Sequence, residues 1–465
     1  MHRVSDLVYR ALPLFAQNLV CTVSGYTRFR ARFTRHFNDK IAEWESTVGW
    51  SLERLRELQR MRLDLLVNRA RQQVPYYRDL SEPSQAKDPF RAIQETLASI
   101  PPLEKADYGD DPQSFIARDS LRHRLVRGQT SGTTGTSLPL WCVPETLVEE
   151  FATVWRMRRN FGVMSPIGPN LTFNGNIIVP FKQGRPPFWR SSSYDHRTLF
   201  SVYHMTPGNL KSYTDAVHSL PAEYIEGYPS AIHLMARALL ENGRPVAPGR
   251  IKAVFTSSES LLSFQRETIE KAFGAPVRDR YGASEKVVSM TECREGRLHV
   301  DLEYCIVEVE TATETDEFEA GPLLVTGLSN YATPLFRYRI GDVGTRSKHP
   351  CPCGRAGDVF FHVDGRVEDY VLTPDGRLVG RLDHIFKEQF DVAEAQIIQT
   401  GEASIDVLIV PRSSYSNASS RGLMREIRAR LGTEMVIKIK IRDSIPREAN
   451  GKFRAVKSEF GRIHA

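Results

Sequence analysis

Two clusters in this sequence of 465 residues combine residue types and spacings that could do chemistry. The first is Thr130-Ser131-Gly132-Thr133-Thr134-Gly135-Thr136-Ser137. Small hydroxylic residues around two glycines let the backbone approach a polyphosphate closely and offer it many N–H and O–H donors. It is not a Walker loop, because the G-x-x-x-x-G-K-[ST] spacing and its lysine are missing. A plain Ser/Thr-rich turn is the other reading. The second cluster is Cys293 and His299 with Cys351-Pro352-Cys353-Gly354. Two thiolates one residue apart, with a Cys and a His on a preceding segment, supply the four ligands of a closed tetrahedral zinc site. Two unrelated buried cysteines and a surface histidine are the alternative, and the tight Cys-Pro-Cys-Gly favours metal. Cys21, Cys142 and Cys305 read as packing residues. Four shorter pieces follow in order: Tyr281-Gly282-Ala283-Ser284-Glu285, Tyr338-Arg339-Ile340-Gly341-Asp342, Gly365-Arg366-Val367-Glu368-Asp369 and Pro446-Arg447-Glu448-Ala449-Asn450-Gly451-Lys452. Each alone could be a turn, a surface ion pair or a solvated loop.

The apolar pattern says what must hold these pieces. Up to about residue 125 the chain reads as mostly helical. Leu52, Leu55, Leu58, Leu65 and Leu66 recur near helical spacing until Val74-Pro75 breaks the run, and Pro101-Pro102 marks another break. From roughly 125 to 345 short β-like runs alternate with helical ones. Ala222 to Tyr228 and Ile251 to Phe255 read as buried strands around a helical Ser230 to Asn242, with further strands at Leu302 to Val309 and Pro322 to Leu328. That alternation predicts an α/β sheet. In the last hundred residues, strands at Ile405 to Val410 and Val436 to Ile441 flank a helix. Its Leu423, Ile427 and Leu431 share a face, and it ends at Gly432. The reading is a large α/β N-terminal domain of residues 1–364 and a small α+β C-terminal domain of 365–465, parted at the Asp364-Gly365 turn signal.

With 41% hydrophobic and 25% charged residues, the chain is globular, and disorder, collagen and coiled coil are excluded for the whole. A formal charge of +6 is mild for this length; it suits anionic small molecules as well as nucleic acid and proves neither. Six cysteines are too sparse for a disulfide scaffold and suit a reducing compartment. The charge-free stretch from Ala11 to Thr27 falls short of the ~20 apolar residues of a span and is expected to be a packing segment. A cytoplasmic protein without a transmembrane segment is the expectation.

Taken in order, the five motifs resemble the adenylate-forming superfamily of acyl-CoA synthetases, luciferases and nonribosomal-peptide adenylation domains. The matches are T-S-G-T-T-G at 130–135, Y-G-x-[ST]-E at 281–285, Y-R-x-G-D at 338–342, the hinge G-R-x-[DE]-D at 365–369 and the C-terminal G-K at 451–452. Pro187-Phe188-Trp189-Arg190, Phe200 to His204, Glu226 to Ser230 and Gln396 to Gln399 resemble the phenylacetate–CoA-ligase-like group, particularly its capsular-polysaccharide branch. Two positions depart from the pattern. Thr136 stands where a lysine often follows T-S-G-T-T-G, which suggests weaker reliance on that lysine for pyrophosphate. Glu368 stands for the first hinge Asp and keeps the charge.

The resemblance implies a large multi-subdomain domain, a small mobile C-terminal domain behind the Glu368 hinge, and ATP-dependent activation of a carboxylic acid. Thr130, Ser131, Gly132, Thr133, Thr134 and Gly135 would hold the phosphates, and Glu285 would bind Mg²⁺. Asp342 would accept hydrogen bonds from the ribose hydroxyls, with Arg366 nearby. Ser258, Glu259, Tyr281, Gly282 and Ser284 complete the nucleotide set. Lys452 would bridge acyl and phosphate oxygens, acting in catalysis with Glu285 and Thr134. Trp189, Tyr203, His204 and Tyr228 could line the acyl site, although an aromatic set is more often core and His204 reads equally as a packed histidine. Zinc on the Cys/His set would be structural. The partners implied are a small carboxylate and an acceptor, either the CoA thiol or an amine, in surface-polysaccharide or natural-product synthesis; nucleic acid is not among them. A non-catalytic, zinc-stabilised binding protein is the rival from another class. Glu285, Asp342, Arg366 and Lys452 all in register count against it.

Overall fold

The computed structural model describes residues 8–9, 11–122, 125–129, 138–180, 182–206, 208–366, 371–374, 378–379, 382, 391–446 and 456–458. Its contacts divide the chain into two units, 1–340 with 344–363, and 341–343 with 364–465.

The first unit opens with α1 (Leu14–Arg32), α2 (Arg35–Ser46), α3 (Leu52–Gln73), α4 (Pro89–Ala98) and α5 (Lys105–Asp110) among the described residues. Ser51 starts α3 by accepting a hydrogen bond from the Arg54 backbone N–H at 3.3 Å. Val74, extended before Pro75, ends it. The buried stripe of α3 differs from the leucine count. Leu55 and Leu66 are buried, but Leu52 and Leu65 are exposed, and Leu63, Val67 and Ala70 pack instead. The reason is polar: Arg56 and Gln59 lie on the inner face, where Arg56 pairs with Asp358 at 2.7 Å and the Gln59 amide donates to the Cys305 carbonyl at 2.8 Å. Ala11 to Thr27, expected as a packing segment, packs through Gln17, Asn18 and Thr22, which accept from Arg190, Ser191 and Ser193, and through Cys21, which lies against Ile178, Val179 and Leu199.

The hairpin of β1 (Val126–Gln129) and β2 (Pro139–Cys142) brackets the hydroxyl-rich loop, with Gln129 opposite Pro139. Residues 130–137, and so Thr130, Ser131, Gly132, Thr133, Thr134 and Gly135, lie outside the described residues. Helix α6 (Pro144–Asn160) follows. The strands β3 (Asn170–Asn174), β4 (Trp189–Ser192), β5 (Arg197–Ser201), β6 (Tyr224–Gly227), β7 (Ala253–Ser257), β8 (Val277–Gly282), β9 (Ser289–Glu292), β10 (Leu298–Val300), β11 (Cys305–Val309), β12 (Thr313–Glu314), β13 (Phe318–Gly327), β14 (Tyr338–Ser347) and β15 (Val359–Arg366) make one sheet. Their spatial order is β11-β13-β14-β15-β10-β9-β8-β7-β6-β3-β5-β4, with β12 on β13. The run β5-β3-β6-β7-β8 is parallel. Helices α7 (Leu210–Ser219), α8 (Pro229–Glu241) and α9 (Ser263–Phe273) make its crossovers. Leu302 to Tyr304, expected in a strand, instead turn, with the Tyr304 N–H bonded to the Asp301 carbonyl at 2.8 Å.

Strand order reverses between β3 and β6, because the chain goes from β3 to β5 on one side and then to β6 on the other. Such a switch point opens a crevice outside the carboxyl ends of the strands. Gly227, at the end of β6, has φ +153°, and a Cβ there would sit 2.0 Å from the Phe173 carbonyl oxygen. Only glycine lets β6 and β3 come this close. Gly227→Ala is expected to cost about 2–3 kcal/mol in urea unfolding; an unchanged midpoint would contradict the close approach.

In the second unit β16 (Val371–Leu372) pairs with β17 (Leu378–Val379). β18 (Val392–Gly401), β19 (Ser404–Pro411), β20 (Val436–Ile441) and β21 (Val456–Ser458) form a sheet in the order β20-β19-β18-β21. Helix α10 (Asn417–Leu431) buries Leu423, Ile427 and Leu431 with Ile397, Val407 and Ile409 of that sheet, and ends at Gly432 with φ +92°. Among the described residues no helix is long and apolar enough to cross a membrane.

Candidate active site and the Cys/His cluster

The described members of the expected site gather at the carboxyl ends of the parallel strands. Tyr203 and His204 follow β5, Tyr228 follows β6, Ser258 and Glu259 follow β7, and Tyr281 to Glu285 close β8. Tyr203 and Tyr228 meet on one backbone segment just beyond β3. The Tyr203 hydroxyl donates to the Gly175 carbonyl at 2.9 Å, and Tyr228 hydrogen-bonds the Gly175 backbone. Burial pushes both phenols above their ordinary value. Trp189 packs on Phe200 with centroids 5.5 Å apart and is half-buried. Phe188 is buried in the core and stacks on His204 at 5.3 Å. His204 is itself buried, its Nδ1 2.8 Å from Ser201 Oγ and its Nε2 3.2 Å from the Pro180 carbonyl. Both ring nitrogens are thus engaged within the protein.

Ser258 has φ +72°, a left-handed conformation that costs a non-glycine residue energy and is held by its surroundings. The next residue, Glu259, accepts from the Ser230 N–H at 3.1 Å, which places a carboxylate on the positive N-terminal end of α8. Lys286, at φ +62°, is the second strained residue of this rim. Its ammonium pairs with Glu150 of α6 at 2.7 Å, and its carbonyl accepts from the Tyr304 hydroxyl at 3.1 Å. Burial alone would raise the Glu150 carboxyl, but Lys286 and Arg280 outweigh it and hold it near about 2. That anchored turn carries Glu285, buried, with one oxygen 3.3 Å from the Tyr338 hydroxyl that donates to it. Tyr338 is on β14; Asp342 lies further along the same strand, in the short stretch 341–343 that groups with the second unit. Sequence reading missed Glu150. Its only trace is the acid pair Glu149-Glu150 between the apolar Leu147-Val148 and Phe151-Ala152. Arg366 ends β15, and its side chain lies outside the described residues together with Glu368 and Lys452.

The second cluster is also brought together. The ligand atoms of Cys293, His299, Cys351 and Cys353 all lie within 4.8 Å of one another. Cys293 Sγ is 3.7 Å from Cys351 Sγ, and Cys353 Sγ is 3.3 Å from His299 Nε2. Zn–S bonds of about 2.3 Å at tetrahedral angles put two sulfurs about 3.8 Å apart, so the cage matches that ion. The hairpin β9–β10 supplies Cys293 and His299, and a turn closed by Gly354 at φ +84° supplies the other two. The Arg355 N–H donates to Cys353 Sγ at 3.4 Å, as thiolate ligands require. Burial holds the His299 imidazole down to about 4, so it is neutral, the form in which an imidazole can bind a metal. Strand register separates the two clusters. Gly282 is opposite Ser289, so Cys293 lies four residues back toward the amino end of β8, about 13 Å away along the strand.

The first unit, a parallel sheet with a close-approach glycine at its switch point, strained turns and a buried carboxylate at its carboxyl edge, and the second, a four-strand sheet with one helix, together define a class of α/β protein. Sequence comparison narrows it. Over 457 residues, 97% of this chain and 98% of the relative, it is 27% identical to protein CapK of Staphylococcus aureus. It is 32% identical over 293 residues to indoleacetate–lysine synthetase of Pseudomonas savastanoi, covering 62% of this chain and 68% of that one. It is 24% identical to phenylacetate-coenzyme A ligase of Thermus thermophilus over 441 residues, 87% of this chain and 96% of the relative. Residues 371–459 match the CapK C-terminal domain. The fold is shared with 2-hydroxyisobutyryl-CoA ligase solved in its postadenylation state, with TM-score 0.64 at 16% identity, over 86% of this chain and 89% of that one. The chain belongs to the adenylate-forming superfamily, in its phenylacetate–CoA-ligase-like group.

Proposed function

We propose that this protein activates a small carboxylic acid with ATP and passes the acyl group to a thiol or an amine. A carboxylate is a poor electrophile because its leaving group would be oxide. Its oxygen attacks the α-phosphorus, the bond to the β-phosphate oxygen breaks, and pyrophosphate leaves. The acceptor then attacks the acyl carbon and AMP leaves, the acceptor's proton passing to solvent. The observation that carries this reading is the convergence of Tyr228, Ser258, Glu259 and Tyr281 to Glu285 on the carboxyl edge at the switch point. In it Glu285 holds Mg²⁺ through its buried carboxylate, Ser258, Glu259, Tyr281, Gly282 and Ser284 border the nucleotide, and Asp342 takes the ribose hydroxyls. Trp189, Tyr203 and Tyr228 border the acyl group, and His204 holds the wall behind them. Thr130 to Gly135, Arg366, the Glu368 hinge and Lys452 take the roles their motifs imply, with 365–465 as the small domain.

The acceptor divides two readings. Phenylacetate-coenzyme A ligase speaks for CoA, and the 32% identity to indoleacetate–lysine synthetase speaks for an amine. Surface-polysaccharide or natural-product synthesis is the setting that the motif resemblance implies. Pyrophosphate release is to be measured across pooled carboxylic acids with ATP and Mg²⁺, then AMP release with CoA or amines added. Acid-dependent pyrophosphate release is expected; its absence with every pool would favour a binding protein that lost the chemistry.

The Cys/His cage is proposed to hold structural zinc, since four ligands leave no open position and the cage lies at the amino ends of the strands. Freshly purified protein should carry about one zinc per chain. Cys351→Ser should lose it and lower Tm by at least about 4 °C, leaving the choice of acid unchanged. Metal analysis far below one per chain would defeat the assignment.

A further inference from the structure

Helix α1 is turned inside out. Over its first three turns the inward face is polar or small, with Cys21 set against Ile178, Val179 and Leu199. Gln17 is buried, its amide donating to the Leu12 carbonyl at 2.9 Å and its Oε1 accepting from Arg190 Nε at 2.6 Å. Asn18 Oδ1 accepts from the Ser191 N–H at 3.0 Å, and Thr22 Oγ1 from the Ser193 N–H at 3.1 Å. Gly25 sits so close to β4 that a Cβ would lie 2.6 Å from Ser192 Oγ. Along its first three turns the large apolar side chains point the other way: Phe15 is 75% exposed, Leu19 60% and Val23 54%, and Tyr26, 43% exposed, ends the row with its ring edge on Tyr194 at 5.1 Å, where Phe29 also packs. Steps of four, four and three residues put them in one stripe along the helix. A continuous apolar stripe facing water, on a helix that spends its polar groups inward, marks a docking surface.

Charge selects the occupant. From Leu7 to Asn38 the sequence has no Asp or Glu but five arginines, at 10, 28, 30, 32 and 35. Arg30 continues the stripe one turn beyond Tyr26, is exposed, and donates to the Tyr26 hydroxyl at 3.3 Å. Arg35, also exposed, follows at the start of α2. In an isologous pair this segment, which carries no acid of its own, would meet itself, and its arginines would gain no counter-charge from it. An apolar stripe with aromatic members and a basic end instead fits the interface of a bilayer bearing anionic headgroups. We propose that α1 docks the protein on the surface of an anionic phospholipid membrane, with Phe15, Leu19 and Val23 reaching the acyl boundary and Arg30 and Arg35 on headgroup phosphates. The helix lies on the membrane; it is not a span.

The test is sedimentation of the full chain with vesicles of phosphatidylcholine alone and of an equimolar mixture with phosphatidylglycerol. Partition onto the mixed vesicles, little onto the neutral ones, and weakening with salt are expected. Phe15→Ser with Leu19→Ser should lower the partition coefficient at least about tenfold, with Tm unchanged because both side chains are exposed. Arg30→Glu with Arg35→Glu should abolish the preference for anionic vesicles. No partition onto mixed vesicles, or equal partition by the Phe15/Leu19 variant, would overturn the proposal. So would a dimer in sedimentation velocity that the Phe15/Leu19 variant converts to monomer, since the stripe would then belong to a second copy.

Discussion

Glu285→Gln is expected to lower acid-dependent pyrophosphate release by about 10²–10³-fold, the equivalent of several kcal/mol of transition-state charge stabilisation. The substitution keeps shape and volume. The amide oxygen can still accept from the Tyr338 hydroxyl, now 3.3 Å from the carboxylate, and the Lys286–Glu150 anchor of the turn is untouched. What disappears is the charge that would neutralise and position the cation on the phosphates, an interaction that strengthens as pyrophosphate departs. Rates are to be followed over a Mg²⁺ titration with melting curves alongside. A raised Mg²⁺ requirement and a lower plateau with unchanged Tm are the expected outcome. Release at the wild-type rate would remove Glu285 from the proposed role.

Arg156→Met should produce the largest loss of stability, about 3–5 kcal/mol in urea unfolding. Arg156 is buried on α6, 2.7 Å from Asp301 and 2.6 Å from Glu303, and it also donates to the Trp44 carbonyl at 2.9 Å. Without the guanidinium, Glu303 keeps the Thr47 hydroxyl and the more distant charge of Arg355, and Asp301 keeps Ser289, Thr291 and Arg355. Two buried carboxylates are then under-compensated. The pH dependence should carry the same signature. Burial would raise the Glu303 carboxyl, but Arg156 reverses this and holds it near about 2, below its unfolded value. A depressed carboxyl contributes stability that is present above the unfolded value of about 4.3 and is lost as pH falls toward the folded one. Wild type should therefore lose stability between about pH 5 and 2, and the variant less steeply. A loss under about 1 kcal/mol, or the same acid slope in both proteins, would mean the pair is no better than its desolvation cost.

Much of the candidate site was legible because each motif is a contiguous piece of backbone. A phosphate loop needs small residues in a row, and a carboxylate at the end of a strand needs the turn that precedes it. Tyr281 to Glu285 could therefore be picked out before any fold was known. The Cys/His set was legible for a related reason, since ligand chemistry restricts residue type even when 58 residues separate Cys293 from Cys351. The α/β alternation and the α10 face of Leu423, Ile427 and Leu431 followed from periodicity, which reports which side of an element avoids water.

Periodicity does not report what lies across from that side. Leu52 and Leu65 counted as core by spacing, yet the inner face of α3 was taken by Arg56 and Gln59, whose partners Asp358 and Cys305 are distant in the sequence. Glu150 gains its meaning from Lys286 and Arg280, which reach it only when β8 folds beside α6. Gly227 looks like any turn glycine until β6 is laid against Phe173, and the partners of the His204 ring, Ser201 and the Pro180 carbonyl, come into view only in the fold. The sequence by itself determined the family, the motifs and the order of elements, because these depend on local backbone and residue chemistry. The tertiary structure alone decided which polar groups are paired in the interior and that α1 turns its apolar side to water. A buried polar group or an exposed apolar one is defined by the surface packed against it, and that surface is set by strands and helices from elsewhere in the chain.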